Sequence, residues 1–299
     1  MTEIIDRPTI TVLGLGAMGT AIAGAAAAKG FEVLAWNRTP RSRDELRSNG
    51  IEVVESLTDS VDGTDLVVMC VRDHDASRVL LERVASALAG CVVVNVSTGT
   101  PAQATESADH AAELGVRYVS GAVMVPTPMV GTDASFVIYA GSEADLAELG
   151  PMSDAMGGVS DIVGQNHSVP AVLDLAMLDI YFAGMYAHLH ATALAAAHGI
   201  DPSRFLPYSQ GIVQTLGASL AGLTSSAERR TYDGGDARVD MCLSFLEHIV
   251  SASREIGIDP ALAEVVRAAS ARAMTRWPGG TDWDVVGEDF LVARHDMRC

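Results

Sequence analysis

The first 160 or so residues alternate between two hydrophobic patterns. Short uninterrupted apolar runs rich in Val and Ile occupy residues 9–13, 31–36, 65–71, 91–96, 117–120 and 135–140. Between them lie segments whose Ala and Leu residues recur at helical spacing, notably 17–29, 76–89 and 101–114. Continuous apolar strands separated by helices predict a parallel sheet covered on both faces. Ligands of such sheets bind beyond the carboxyl ends of the strands, so the turns after Leu13, Val71 and Val96 should line one cleft.

The pattern changes near residue 164. From Ser168 onward no strand is evident. Ser168 can cap a helix, Pro170 suits its first turn, and Gly199 ends a periodic segment that predicts one long helix over about 169–198. That helix is apolar on most faces. A helix apolar nearly all round must be buried nearly all round, which one small helical domain does not easily provide, so a partner subunit is expected across it. Later helices are predicted to start at Asp201-Pro202 and Asp259-Pro260. The expected architecture is α/β: an N-terminal doubly wound Rossmann domain (1–163), then the long interdomain helix opening an all-helical domain (164–299).

Composition narrows the function classes. The chain has 299 residues, of which 48% are hydrophobic, and a mean hydropathy of +0.24. That is enough for two domains and a large buried surface, a subunit interface included. A formal net charge of -18 argues against nucleic acid as a partner. The N-terminus carries acids and a proline where a signal peptide needs an apolar stretch. Asp174, Asp179, His188 and His190 interrupt the most apolar segment, which argues against a membrane span. Cys70, Cys91, Cys242 and Cys299 lack metal-binding spacing and read as reduced thiols of a cytoplasmic protein, and no metal site is expected.

Within that frame the most specific signal is Gly14-Leu15-Gly16-Ala17-Met18-Gly19, a GxGxxG between a strand and an Ala-rich helix. Its glycines let backbone N–H groups approach a dinucleotide pyrophosphate, and the helix N-terminus adds partial positive charge. An NAD site usually places Asp or Glu after the second strand, to bond the ribose 2′-hydroxyl. This chain places Asn37, Arg38 and Thr39 there, with Arg41 and Arg43 beyond. A carboxylate repels a 2′-phosphate, whereas guanidinium groups bind it, so the site should prefer NADP(H). Val71 follows a later strand at the same cleft.

Residues 95–101 (NVSTGTP) follow another strand, and the hydroxyls of Ser97 and Thr98 suit a turn beside the nicotinamide ribose; ordinary turn chemistry explains them equally well. Residues 120–126 (SGAVMVP) offer small and apolar side chains, among them Ser120, Ala122 and Met124, for a dry substrate pocket. Asp174 stands on the long apolar helix, where a carboxylate is costly unless it is paired or faces a cavity. Tyr181 lies seven positions on, nearly two turns, and shares its face, whereas Asp179 points elsewhere. His188 and His190 read as packing or interface residues.

Together these residues resemble the NADPH-dependent imine reductase family, within the wider group of β-hydroxyacid dehydrogenases. The resemblance covers most of the chain. It rests on Gly14, Gly16, Met18, Gly19, Ala25, Gly30 and Trp36-Asn37-Arg38-Thr39, and on Gly164, Pro170, Asp174, Ala176 and Leu178. Ala35, Ser42, Asn166 and Ser168 depart from the family's usual residue types, with Arg41 and Arg43 flanking the second of these. The position of Asp174 is decisive, because β-hydroxyacid dehydrogenases carry a catalytic Lys there and imine reductases do not. An anion stabilises a cationic C=N bond where a Lys repels it. The family usually places a Tyr or Asp, thought to donate a proton, at the position held here by Phe182; Tyr181 is its neighbour. Thr98 stands where the family has an amine-contacting Asn.

The resemblance implies hydride transfer from NADPH to an imine or iminium, cyclic by expectation. Asp174 and Tyr181 are the catalytic candidates, and Phe182 a pocket residue. It also implies a domain-swapped homodimer whose partner subunit closes the cleft. A β-hydroxyacid or carbonyl reductase is one alternative, and an NADP-binding sensor or assembly protein without catalysis is another.

Overall fold

The computed structural model describes residues 8–233, 235 and 237–291. Cys299 and the N-terminal residues 1–7, both read above, lie outside the described residues. Contacts divide the chain into two units, one ending at Ile180 and one beginning at Tyr181, so that the division falls inside the long helix.

The first unit is built on strands β1 (Thr9–Leu13), β2 (Glu32–Trp36), β3 (Ile51–Val53), β4 (Leu66–Met69), β5 (Val92–Asn95), β6 (Arg117–Val123), β7 (Phe136–Gly141) and β8 (Val159–Ile162). They form one eight-stranded sheet in the order β3-β2-β1-β4-β5-β6-β7-β8. Helices α1 (Ala17–Ala28), α2 (Arg43–Ser48), α3 (His74–Val84), α4 (Pro101–Glu113), α5 (Glu143–Leu146) and α6 (Gly150–Met156) connect them. The uninterrupted apolar runs have a simple cause: successive side chains feed two different cores. Ile10, Val12, Leu66, Val68, Val92 and Val94 pack with Ile22 of α1 and Met152 of α6. Leu13, Val67, Met69 and Val93 pack on the opposite face with Leu81 and Val84 of α3.

One strand departs from the expected all-parallel sheet. β7 runs antiparallel to β6. A short connection, including a 3-10 turn at Thr127–Met129, is enough between antiparallel neighbours, whereas a parallel return needs a crossover. β8 then pairs parallel with β7 at the sheet edge. Local capping fixes the helix starts beside the carboxyl ends of the central strands. The Asp73 carboxylate accepts from Ala76 N–H at 2.8 Å to open α3, and Thr100 with Gln103 forms a capping box at α4.

The long helix, α7 (Ser168–Ala197), starts at Ser168 itself. It is followed by α8 (Pro202–Arg229), α9 (Val239–Glu255), α10 (Ala261–Met274) and the short α11 (Glu288–Leu291). The expected Asp-Pro starts differ in detail. Asp201 flanks α8 but makes no side-chain cap bond, whereas Asp259 accepts from Ala261 N–H at 3.0 Å, one residue later than expected, to open α10. In the second unit Val239, Ala269, Ala273, Val285 and Val286 form a small core. Glu288, buried beside it, accepts from Tyr232 Oη at 2.5 Å and from Arg230 Nε at 2.9 Å. His188 bonds Ser209 Oγ at 2.7 Å and His190 bonds Ser253 Oγ at 3.2 Å, so both are packing residues.

α7 does not find burial all round within this chain. Among the described residues it is the one helix long and apolar enough to cross a membrane by length and composition, yet little of it is buried. In the second unit Phe182, Leu189, Tyr208, Ile212, Val213 and Leu216 of α7 and α8 are all exposed.

Candidate active site

The turn after β1 is shaped by steric exclusion. Gly14 has φ +107°, and a Cβ there would lie 2.2 Å from the Cys70 carbonyl oxygen. A Cβ on Gly19 would meet the Gly14 carbonyl oxygen at 1.9 Å, so only glycine lets α1 start this close to the loop. Gly16, by contrast, faces open space. The first turn of α1 carries no acidic residue and Gly16 makes no side-chain cap bond. Its free N–H groups and positive dipole end are therefore available to an anion.

Two side chains from beyond β2 hold this loop. Leu15 N–H donates to Asn37 Oδ1 at 2.8 Å, and the Leu15 carbonyl accepts from Arg41 Nε at 3.1 Å and Nη2 at 2.5 Å. Asn37 in turn donates to the Thr39 carbonyl at 2.7 Å. The Leu15 side chain itself is fully buried. Beside the loop lies a cavity of about 670 Å³, lined by Gly14, Gly16, Ala17, Met18, Gly19, Asn37, Arg38, Thr39 and Val71. These residues fit a dinucleotide: glycine backbone for the pyrophosphate and an exposed guanidinium at the end of β2. Arg41 does not line this cavity, because it is committed to Leu15, and Arg43 is paired with Glu55 at 2.5 Å. The cavity is also lined by Arg72, which is paired with Asp73 at 2.6 Å, and by Asp75 and Arg83 of α3; the sequence reading missed these, and only Arg83, one turn after Val79 on α3, had a helical signal.

A second, narrow pocket of about 10 Å³ lies at the ends of β5 and β6 and the start of α7. Asn95, Ser97, Thr98, Ser120, Ala122, His167 and Asp174 line it. Val71 N–H donates to Ser97 Oγ at 3.1 Å and ties the two cavities together. Met124 lines neither; its N–H extends the hairpin by bonding the Phe136 carbonyl at 2.8 Å. Tyr181 and Phe182 belong to the second unit, where they are 52% and 61% exposed and pack edge-on with ring centroids 6.0 Å apart.

The pocket walls are hydrogen-bonded. Asp174 accepts from Thr98. His167 Nδ1 lies 3.0 Å from Ser120 Oγ. Behind them, Asn95 Nδ2 donates to Tyr118 Oη at 2.8 Å and to Ser77 Oγ at 3.0 Å, and His74 Nδ1 meets Ser107 Oγ at 2.9 Å. Tyr118 also bonds Ser107 and Ser120, and burial pushes its hydroxyl up to about 12. Burial likewise pushes the Cys70 thiol, under the glycine turn, up to about 11, so it is no nucleophile. His74 and His167 were not singled out from the sequence, because a lone histidine in a polar stretch carries no periodic signal.

Comparison with known proteins places both units. Residues 9–164 match the model of the NAD-binding domain of 6-phosphogluconate dehydrogenase, and residues 166–291 match the NADPH-dependent reductive aminase-like C-terminal domain. The chain is 27% identical over 290 residues to the NADPH-dependent reductive aminase of Aspergillus oryzae, covering 96% of this chain and 98% of that one. The reductive aminase from Aspergillus terreus, solved with NADPH and ethyl levulinate, superposes with a TM-score of 0.90 at 27% identity, over 95% of this chain and 99% of that one. An imine reductase from Bacillus cereus is 30% identical, with a TM-score of 0.80 over 95% of this chain and 99% of its own.

Asp174 has an unusual electrostatic position. Burial raises its carboxyl above the usual value of 3.8, against the opposing bond from Thr98, and no cation offsets that burial. An acid whose folded value is raised destabilises the fold where it is charged. The penalty is absent below the unfolded value, grows as pH rises through the window between the two, and stays above the folded value. Asp174→Asn is therefore expected to raise Tm at neutral pH, and the gain should vanish as pH falls below 3.8. Calorimetry across that range measures it; a variant less stable at neutral pH would show that Asp174 has a favourable partner.

Proposed function

The chain belongs to the NADPH-dependent imine reductase family, and we propose that it reduces the C=N bond of a cyclic imine or iminium ion to an amine. The observation that carries this reading is Asp174, a half-buried carboxylate near the head of α7 with no Lys or Arg paired to it among the described residues. A pocket arranged this way favours a ligand that brings its own positive charge. A Lys here would oppose that charge, so the β-hydroxyacid alternative loses its central residue. Nothing in the site favours a sensor without catalysis.

Bound in the larger cavity, NADPH supplies the hydride. The chain's own groups divide the remaining work. The Gly14–Gly19 loop and the α1 N-terminus receive the pyrophosphate. Arg38 and Thr39 receive the 2′-phosphate, and Arg41 acts by bracing the Leu15 carbonyl. Val71, Ser97 and Thr98 border the nicotinamide end. Thr98 also orients Asp174, whose carboxylate stabilises the cationic C=N bond as it accepts hydride. Ala122 keeps the wall beside it apolar, which strengthens that interaction.

The active form is proposed to be a domain-swapped homodimer, with the nucleotide domain at 1–163 and the helical domain at 164–299. A pocket of about 10 Å³ holds little more than one water, so a cyclic imine needs further walls. The exposed apolar face of α7 and α8 supports a second copy as their source, with Tyr181 and Phe182 brought against the substrate by assembly. The length of α7 would also suit a membrane, but the carboxylates of Asp174 and Asp179 disfavour that environment.

Three measurements test this reading. NADPH oxidation should accompany turnover of a cyclic imine, whereas a β-hydroxyacid offered with NADP+ should not react; the reverse result overturns the assignment. Arg38→Ala should weaken NADPH by about 10–100-fold and NADH far less, since it removes one charge-assisted phosphate contact; equal losses would remove Arg38 from the 2′-phosphate site. Light scattering should give twice the 31.3 kDa chain mass. A monomer with full activity would refute the shared site.

A further inference from the structure

Imine reduction needs a proton as well as a hydride. The side chain of Phe182 has no exchangeable proton, and within one chain neither it nor Tyr181 lines the pocket that holds Asp174. Two imidazoles line the pocket that holds Asp174, those of His74 and His167; His74 is only 3% exposed and its Nδ1 meets Ser107 Oγ at 2.9 Å, whereas His167 is partly exposed and is the one within reach of a ligand. It sits at the end of the segment entering α7, seven residues before Asp174, and across the same pocket from Thr98 and Ala122.

Its orientation is fixed. Nδ1 is held 3.0 Å from Ser120 Oγ, and the ring lies 5.9 Å from that of Tyr118 in a tilted packing. Ser120 is itself buried and tied to Tyr118 Oη, which also meets Asn95 and Ser107. A chain of hydroxyls thus anchors one nitrogen and leaves Nε2 as the ring atom able to serve a ligand. A serine partner accepts from Nδ1–H both before and after Nε2 gives up its proton, so the ring need not turn during a cycle.

The geometry points to His167 as the general acid of the reaction, with Ser120 as its positioning residue. This rests on the imine reductase reading above. In the step, the Nε2–H bond of the imidazolium breaks and its proton passes to the substrate nitrogen. The new N–H bond is made with the imine nitrogen's own lone pair and gives the iminium ion; hydride, which bound NADPH would supply, then adds to the carbon as the C=N π pair becomes the lone pair of the amine nitrogen. His167 is left neutral and regains its proton from solvent water. Asp174 stabilises the cation that forms and Thr98 holds it in place. The two charged roles are thereby divided between the head of α7 and the residue just before it.

The environment of His167 agrees. Burial lowers its affinity for a proton, while the carboxylates of Asp109 on α4 and Asp145 on α5 act in the opposite direction; Asp145 is itself paired with Arg117 at 2.7 Å. Asp174 on α7, Tyr118 on β6 and His74 at the start of α3 complete the titratable groups around the pocket. The acid form therefore becomes scarce as pH rises through and above the lowered value.

The test compares two substrates in the holoenzyme: a cyclic imine largely unprotonated at the assay pH, and the same ring as an N-methyl iminium salt. The salt is cationic at every pH and needs no proton. His167→Asn, which keeps a donor near the Nδ1 position, should reduce kcat on the neutral imine by on the order of 100-fold more than on the salt. It should also abolish the fall of kcat with rising pH. Ser120→Ala should give a smaller loss with the same selectivity, and Ser120→Thr should restore the rate. Unchanged NADPH affinity and melting temperature confirm folding. Equal losses on both substrates would make His167 merely structural, and no loss would leave Asp174 or water as the donor; either overturns the proposal. A wild-type enzyme that reduces neither substrate refutes the imine reductase reading itself, and this inference with it.

Discussion

A single half-buried carboxylate without a compensating ion pair is the electrostatic constraint of this fold. Asp174 is half-buried and bonded to Thr98, and among the described residues no Lys or Arg is paired with it. Desolvating an anion without a partner costs stability, and proteins retain such groups where the missing charge arrives with a ligand. The rest of the first unit can be understood as support for that arrangement. β5 and β6 deliver Thr98 and Ser120 to one pocket, and the apolar run into α7 delivers Asp174 to the same place. The glycine turn after β1 sets a large cavity alongside.

The acidic balance of the chain sharpens this division. With a net charge of -18, most of the surface repels a dinucleotide. The nucleotide cavity nevertheless places Arg38, Arg72 and Arg83 on its walls against one carboxylate, Asp75, with Arg72 already paired to Asp73. Attraction is therefore local, in reach of phosphates, and it gives way to a negative pocket a few residues further along. Two neighbouring cavities, one bordered by arginines and the other holding Asp174, are joined through Val71 and Ser97.

Much of this was legible in the chain. The period of two, hidden within unbroken apolar runs, showed strands covered on both faces, and the helical periods between them showed the crossovers. The glycine loop and the arginine after β2 marked the nucleotide site. Other features left no trace. β3 is only Ile51–Val53, and β8, Val159–Ile162, is mostly exposed with an Asp inside it, so neither produces an apolar run. The antiparallel turn of β7 depends on a loop geometry rather than on composition. Arg41 looked like a phosphate ligand because spacing reveals proximity but not commitment, and its guanidinium is held by a backbone carbonyl. His167 was overlooked because its bonding partner is Ser120, 47 residues away.

The bracing of Leu15 has a practical consequence for redesign. Its N–H and carbonyl are each occupied by a side chain from beyond β2, Asn37 on one and Arg41 on the other. The loop is thus rigid before anything binds, and little ordering entropy is lost on association. On the proposed 2′-phosphate assignment, conversion to the cheaper, unphosphorylated coenzyme has freedom at Arg38 and Thr39. Changing Asn37 or Arg41 in the same library would loosen the loop that both coenzymes share, and the resulting variants would register as poor catalysts rather than as switched ones.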